Sequence, residues 1–280
     1  MKPTSRKPVL EQLHPTDQAM LALLSQHRFA TTKQLARLAA QSYASPASAL
    51  RQASRHLKRL TEQHLVLRLE RRVGGWQAGS APGIWTLTTS GARLVHASPG
   101  QRRPSALSTT FIDHLLAITE TRVTLTEITR TSGSEVSRLE LEPDCWRTYL
   151  DAYGAQAVLK PDLFVEITGQ EFTDSYFVEV DRETENPARV LNKCHQYVEH
   201  YRAQAGSEEV YPAVLWVVPT EYRCLQLNRY LRADPRLPGG LFTVTTIAQL
   251  PDVIAAGPVP TSVVTSSTQQ TDLTVKGGHP

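Results

Sequence analysis

The spacing of apolar residues changes several times along this chain. From Pro15 to His27, Met20, Leu21, Leu23 and Leu24 supply the stripe of a first helix, which starts at Thr16 or at His14-Pro15. Phe29 and Ala30 lead to Thr31-Thr32, an expected N-cap, and a second short helix carries Leu35, Leu38 and Ala39 on one face. After a turn at 42–44, Ser45 caps a third helix and Pro46 occupies its first turn. Leu50, Ala53, Leu57 and Leu60 recur at helical spacing and are expected to face inward. Leu65–Leu69 reads as a strand and Ile84–Leu87 as its return, with a segment rich in Gly and Arg between them. Thr88–Val95 closes the series as a helix with Leu87, Ala92 and Leu94 inward, and 97–106 reads as a linker.

The remainder alternates helices and strands. Leu107–Ile128 has a long helical period, Ser137–Leu141 reads as a strand, and Val158–Ile167 and Ser175–Asp181 read as two more. Asn186–Ala203 is an expected helix, the continuous apolar run Ala213–Val218 a buried strand, Glu221–Leu231 a helix and Leu241–Thr245 a last strand with a short helix after it. From about Asp252 the composition thins to Pro, Ser, Thr, Gln and Gly, so 252–280 is expected to be a disordered tail. The domain expectation is 1–96, a linker, and an α/β unit over 107–251.

Charge sharpens this division. Up to Ser105 there are 16 Lys and Arg against 4 Asp and Glu, and after it 14 against 23, so a front of +12 precedes a back of −9. An excess of cations supplies the sequence-independent part of nucleic-acid affinity. A strongly acidic partner domain would be repelled by DNA unless its carboxylates hold cations. No apolar run approaches the ~18 residues of a membrane span. Three cysteines without CxxC spacing argue against a disulfide framework or a zinc site. The expectation is a soluble cytoplasmic protein.

On the third helix, Ser48, Arg51, Gln52, Arg55, Lys58 and Arg59 occupy the surface left by the apolar stripe. Arg and Gln can bond base edges in a major groove, and the other cations can neutralise phosphates. A solvated basic face has the same pattern. Three helices followed by a basic hairpin match the plan of a winged helix-turn-helix, with Arg71 and Arg72 in the wing and Gly74-Gly75 relieving its tip.

In the back half, chemistry concentrates on Lys160-Pro161-Asp162 and Val178-Glu179-Val180-Asp181. Strand alternation puts Glu179 and Asp181 on one side, and a hairpin would bring Asp162 beside Glu179. Clustered carboxylates repel unless a hard divalent cation or bulk water neutralises them, and both arrangements fit the pattern. Pro-Asp, a loop and Glu-x-Asp on an apolar strand resemble the PD-(D/E)XK nuclease core, in which a metal held by Asp and Glu activates water against a phosphate. That core usually has Lys where this chain has Asp181. Lys193, four residues before Tyr197 on the following helix, is a candidate relocated lysine, or an ordinary salt-bridge partner.

Taken together, the chain resembles the replication-relaxation proteins of actinobacterial plasmids and integrative elements. The resemblance rests on His27–Ala36, Gly79–Thr88, Arg102–Ser108 leading into Phe111-Ile112-Asp113-His114, Lys160-Pro161-Asp162, Phe177–Glu185, Lys193 with Tyr197, and Leu215–Pro219. It implies an α+β architecture, a winged helix-turn-helix followed by a restriction-endonuclease-like α/β domain with a mixed sheet, and a similarity to metal-dependent mobilisation relaxases. It further implies Mg²⁺ or Mn²⁺ on Glu120, Asp162 and Glu179, with His114 nearby, although His114 and Glu120 stand about 240° apart around a helix. Asp162, Glu179, Asp181 and Lys193 form the implied catalytic set. The implied partners are double-stranded DNA at a plasmid or transfer origin and conjugation or replication proteins. Winged-helix proteins often dimerise on symmetric sites, so a homodimer fits, although no heptad run would drive it.

Two functions follow. One is a DNA nickase or endonuclease. The other is a non-catalytic DNA-binding replication accessory or transcriptional regulator on an inactive nuclease fold, supported by Asp181 in the lysine position. A phage or defence nuclease sharing the fold is a weaker third.

Overall fold

The computed structural model describes residues 12–40, 43–69, 83–95, 108–183, 185–204 and 210–259. The expected linker at 97–106, the wing residues Arg71 and Arg72, and 260–280 lie outside these.

The front unit contains α1 (Pro15–His27), β1 (Ala30–Thr31), α2 (Thr32–Leu38), α3 (Pro46–Glu62), β2 (Val66–Leu69), β3 (Ile84–Leu87) and α4 (Thr89–Val95). Thr31 caps α2 through a reciprocal box: its hydroxyl accepts from Gln34 N at 3.2 Å, and Gln34 Oε1 accepts from Thr31 N at 2.9 Å. The strands form an antiparallel sheet in the order β1-β3-β2. Met20, Leu21, Leu24, Leu35, Ala53, Leu57 and Leu60 fill the core beneath it. Leu50 departs from expectation, being 43 % exposed while Ala49 is buried in its place. The inward stripe of α3 runs through 49, 53, 56, 57 and 60, which turns position 50 to the flank of the helix.

The back unit contains α5 (Thr109–Ser132), β4 (Glu135–Leu141), β5 (Arg147–Leu150), β6 (Gln156–Leu159), β7 (Leu163–Thr168), β8 (Thr173–Val180), α6 (Pro187–Ala203), β9 (Ala213–Val218), α7 (Glu221–Ala233), β10 (Phe242–Thr246) and α8 (Leu250–Ala256). Its mixed sheet has the order β10-β9-β8-β7-β4. β8, β9 and β10 run parallel, and β7 is antiparallel to both β8 and β4. Alternation sends Phe164, Phe177, Val214 and Trp216 to one face, with Tyr197 and Leu227 from α6 and α7. Leu163, Val165, Val178, Leu215 and Val217 go to the other, with Ile118 and Leu125 from α5 and Ile254 from α8.

Three segmental expectations are corrected. Val158–Ile167 is not one strand: β6 pairs with β5 in a separate two-stranded sheet, and the chain restarts as β7 beyond Pro161, which has no N–H for a ladder. β5, unmarked by any strong alternation, was not expected. The expected short helix after β10 is present as α8 but runs past the expected start of the tail at Asp252, because Leu250 and Ile254 bury against the sheet.

A polar seam joins the units along α5. Arg37 of α2 pairs with Glu120 and, at 2.8 Å, with Glu127. Gln34 Nε2 donates to Glu120 Oε2 and to the Leu116 carbonyl, at 3.0 and 2.9 Å. Arg130 donates to the carbonyls of Arg37 and Leu38. Deeper in, Thr119 Oγ1 donates to the Phe29 carbonyl at 3.1 Å, and Arg122 donates to His27 Nε2 at 2.6 Å. Burial and the neighbouring Arg122 lower the His27 pKa to about 3, so its imidazole is neutral.

Candidate active site at the ends of two strands

The β7–β8 hairpin sets the geometry. Its register places Leu163 opposite Val178, so the preceding Asp162 stands beside Glu179, as the sequence pattern implied. Asp162 Oδ2 accepts from Val180 N at 2.7 Å, which ties the start of β7 to the end of β8. Alternation directs Glu179 to the Phe177 face, under α6. There it is 5 % exposed. Tyr197 Oη donates to Glu179 Oε1 at 2.5 Å, and Lys193 Nζ lies 3.2 Å from the same oxygen. Lys193 Nζ also donates to the Lys160 carbonyl at 2.7 Å. One helical turn separates Lys193 from Tyr197, so both reach one carboxylate.

The electrostatics follow from burial. Desolvation, reinforced by the neighbouring Asp162 charge, raises the Glu179 pKa to about 8, and the Lys193 ammonium and Tyr197 hydroxyl only partly oppose this. Lys193 is raised as well: Glu179 and Asp162 attract its ammonium by more than burial penalises it. Tyr197 is pushed well above the usual phenol range by burial and by Glu179. It is fully buried, a poor location for a covalent nucleophile. His114 of α5 donates Nε2–H to Asp162 Oδ1 at 3.2 Å, and that bond raises its pKa.

Asp162, Glu179, Lys193 and His114 border an open cavity of about 510 Å³. One wall is a polar stripe of α6: Arg189, Asn192, Lys193 and Gln196. Their helical spacing was legible in the sequence, but only Lys193 was singled out there. Phe111 and His114 of α5 border the other side.

The expected set is only partly assembled. Asp162, Glu179 and Lys193 come together. Glu120 does not join them, because it is taken up by Arg37 and Gln34 at the seam. Asp181 is displaced too, though it borders the cavity. β8 ends at Val180, and the Asp181 carboxylate turns to Arg223 of α7, whose Nε donates to Oδ2 at 2.5 Å. Both side chains are buried, and Arg223 neutralises the charge that would otherwise face Glu179. No local pattern announces this pairing.

Among the described residues, no three His, Cys, Asp or Glu side chains form a group able to hold a metal ion. The half-buried Asp162 and the buried Glu179 nevertheless offer the hard oxygen donors that Mg²⁺ or Mn²⁺ takes, commonly one or two carboxylates with water and substrate phosphate completing the shell.

On the front unit, Arg51, Arg55 and Lys58 of α3 are exposed, and Ser48 and Gln52 are half-buried. Arg59 is committed elsewhere: its guanidinium donates to the buried Asp17 Oδ2 at 2.6 and 3.0 Å, beside His56. Of the expected DNA-contacting set, Arg59 thus also has a structural contact with Asp17.

A family model described as replication-relaxation matches residues 21–214. The chain belongs to the replication-relaxation family. The match runs from α1 to the start of β9 and includes Asp162, Glu179 and Lys193, while Arg223 lies beyond it. No curated protein and no solved structure matches the chain. Membership of the replication-relaxation family points to a role in the replication or relaxation of plasmids and other mobile elements. No helix among the described residues is long and apolar enough to cross a membrane.

Proposed function

We propose that this replication-relaxation protein binds double-stranded DNA of a mobile element through its front unit, read as a winged helix, and breaks a phosphodiester in its back unit. The observation that carries this reading is the convergence of Asp162, Glu179 and Lys193 on one open cavity at the ends of β7 and β8. The mixed sheet with helices on both faces supports a restriction-endonuclease-like fold.

In this reading Asp162 and Glu179 hold Mg²⁺ or Mn²⁺, which when bound withdraws charge from the phosphate and makes water a better nucleophile. Tyr197 fixes Glu179 through its hydroxyl. Lys193, anchored on the Lys160 carbonyl, stabilises negative charge developing on the phosphate. His114 orients Asp162 from the opposite wall. Water adds to phosphorus and gives up a proton to solvent, the bridging P–O bond breaks, and the leaving oxygen takes a proton from solvent. Arg51, Arg55, Lys58, Ser48 and Gln52 present α3 to the duplex. The non-catalytic alternative leaned on Asp181 in the lysine position. With Asp181 paired to Arg223 and an ammonium supplied by Lys193, that support weakens.

The test is conversion of supercoiled plasmid carrying the protein's native element. Wild type with Mn²⁺ is expected to yield open circle, whereas Glu179→Ala, or wild type in EDTA, leaves the plasmid supercoiled. A salt-sensitive gel shift without any conversion would favour the binding module.

A further inference from the structure

Arg28 has a backbone conformation that its side chain makes costly. It ends α1 with φ 64° and ψ −42°, and Phe29 N donates back to the His27 carbonyl at 2.7 Å. This is a γ-turn of the strained hand, centred on a residue with a Cβ. Glycine would adopt it at far lower cost.

The side chain kept there points to a use. Arg28 is exposed and has no carboxylate partner among the described residues. Its guanidinium lies 5.5 Å from the centroid of the Phe111 ring, and Phe111 borders the cavity that holds Asp162, Glu179 and Lys193. Arg28 and Asp162 also line a second, smaller cavity together with Leu115 and Glu142. On either side of Arg28 the chain is clamped to α5, through His27 with Arg122 and through the Phe29 carbonyl with Thr119. The strained turn thus holds a cation of the front unit at the entrance to the site of the back unit.

We propose that Arg28 binds a backbone phosphate of the DNA strand lying across the Asp162–Glu179–Lys193 cavity, so that the front unit supplies a substrate-positioning residue to the back unit's site. This rests on the reading of that cavity as a phosphodiester site. A planar guanidinium stacked on an aromatic ring retains its outer N–H groups for a phosphate.

The test uses the full chain in EDTA, so that binding is read without cleavage. The probe is a duplex of the native element with single phosphates replaced by neutral methylphosphonates. Arg28→Gly is expected to keep or raise the melting temperature, because it relaxes the turn. It should lower DNA affinity about tenfold, as loss of a charged hydrogen bond does, and reduce the slope of log affinity against log salt by about one. Arg28→Lys should largely restore the slope. One methylphosphonate position should weaken wild type but not Arg28→Gly, and it should lie within a few nucleotides of the position similarly tied to Lys193 by Lys193→Ala. Unchanged affinity in Arg28→Gly, a fall in melting temperature as its sole effect, or an Arg28 position remote from that of Lys193 would each overturn the proposal. Nicking by wild type alongside unchanged Arg28→Gly binding would leave the nuclease reading standing and remove only this inference. DNA binding that depends on Arg28 in a protein that never nicks would leave the phosphate contact standing and remove the cleavage step.

Discussion

Replacing Glu179 by Gln tests the electrostatics of the cavity without emptying it. The amide oxygen still accepts from Tyr197, and the volume hardly changes. In wild type, burial and the neighbouring Asp162 charge push the carboxyl pKa up from its ordinary 4.5 to about 8. A raised carboxyl contributes stability that is fully present below pH 4.5 and is lost as pH climbs to about 8. At about 1.4 kcal/mol per pH unit, the loss is on the order of 5 kcal/mol. Glu179→Gln removes this pH dependence, and the shift to about 8 already includes the attraction of Lys193. The variant should therefore exceed wild type at pH 8.5 by about 5 kcal/mol in metal-free buffer, and the two should converge near pH 4.5. Urea unfolding across that range, in EDTA, measures both. Mn²⁺ at a hundred times its dissociation constant should narrow the gap by about 2.7 kcal/mol, by stabilising wild type and hardly the variant. A variant less stable than wild type at pH 8.5 without metal, with parallel pH profiles, would refute the reasoning.

Other expectations follow from single contacts. Arg223→Ala leaves Asp181 charged and buried without a partner, and should cost about 3–5 kcal/mol in urea unfolding; a loss under 1 kcal/mol would mean that Asp181 is solvated. Tyr197→Phe removes a donor that lowers the Glu179 pKa, so the acidic limb of the nicking pH profile should move upward, at a cost of about 1.5–3 kcal/mol in stability. An unmoved limb would separate Tyr197 from the chemistry. Arg55→Ala with Lys58→Ala should reduce the salt slope of DNA binding by about two while leaving the melting temperature unchanged. An unchanged slope would show that α3 does not face the duplex.

Much of this was legible from local pattern. Thr31 and Gln34 announced the start of α2, and Ser45-Pro46 that of α3, because capping is written within four residues. The pairing of Asp162 with Glu179 was legible because two apolar strands joined by a short turn restrict the register. The failures share a cause. Glu120 lies on α5, which has neighbours on several sides, and periodicity does not say which neighbour a polar residue meets. Asp181 was assigned by alternation, but the strand stops at Val180, and its partner Arg223 is 42 residues away. Leu50 was placed one position off the buried stripe, where Ala49 was too small to draw notice. Arg28 carried no signal, since a strained turn is set by what packs on both sides of it.

The most direct test of the central claim is a single-turnover reaction in ¹⁸O-labelled water, with end-labelled native-element duplex and Mn²⁺. If water attacks phosphorus at the Asp162–Glu179–Lys193 site, one ¹⁸O enters the new terminal phosphate, and Glu179→Ala yields no product. Cleavage that leaves DNA covalently attached to a tyrosine, or equal cleavage by Glu179→Ala, would contradict the account.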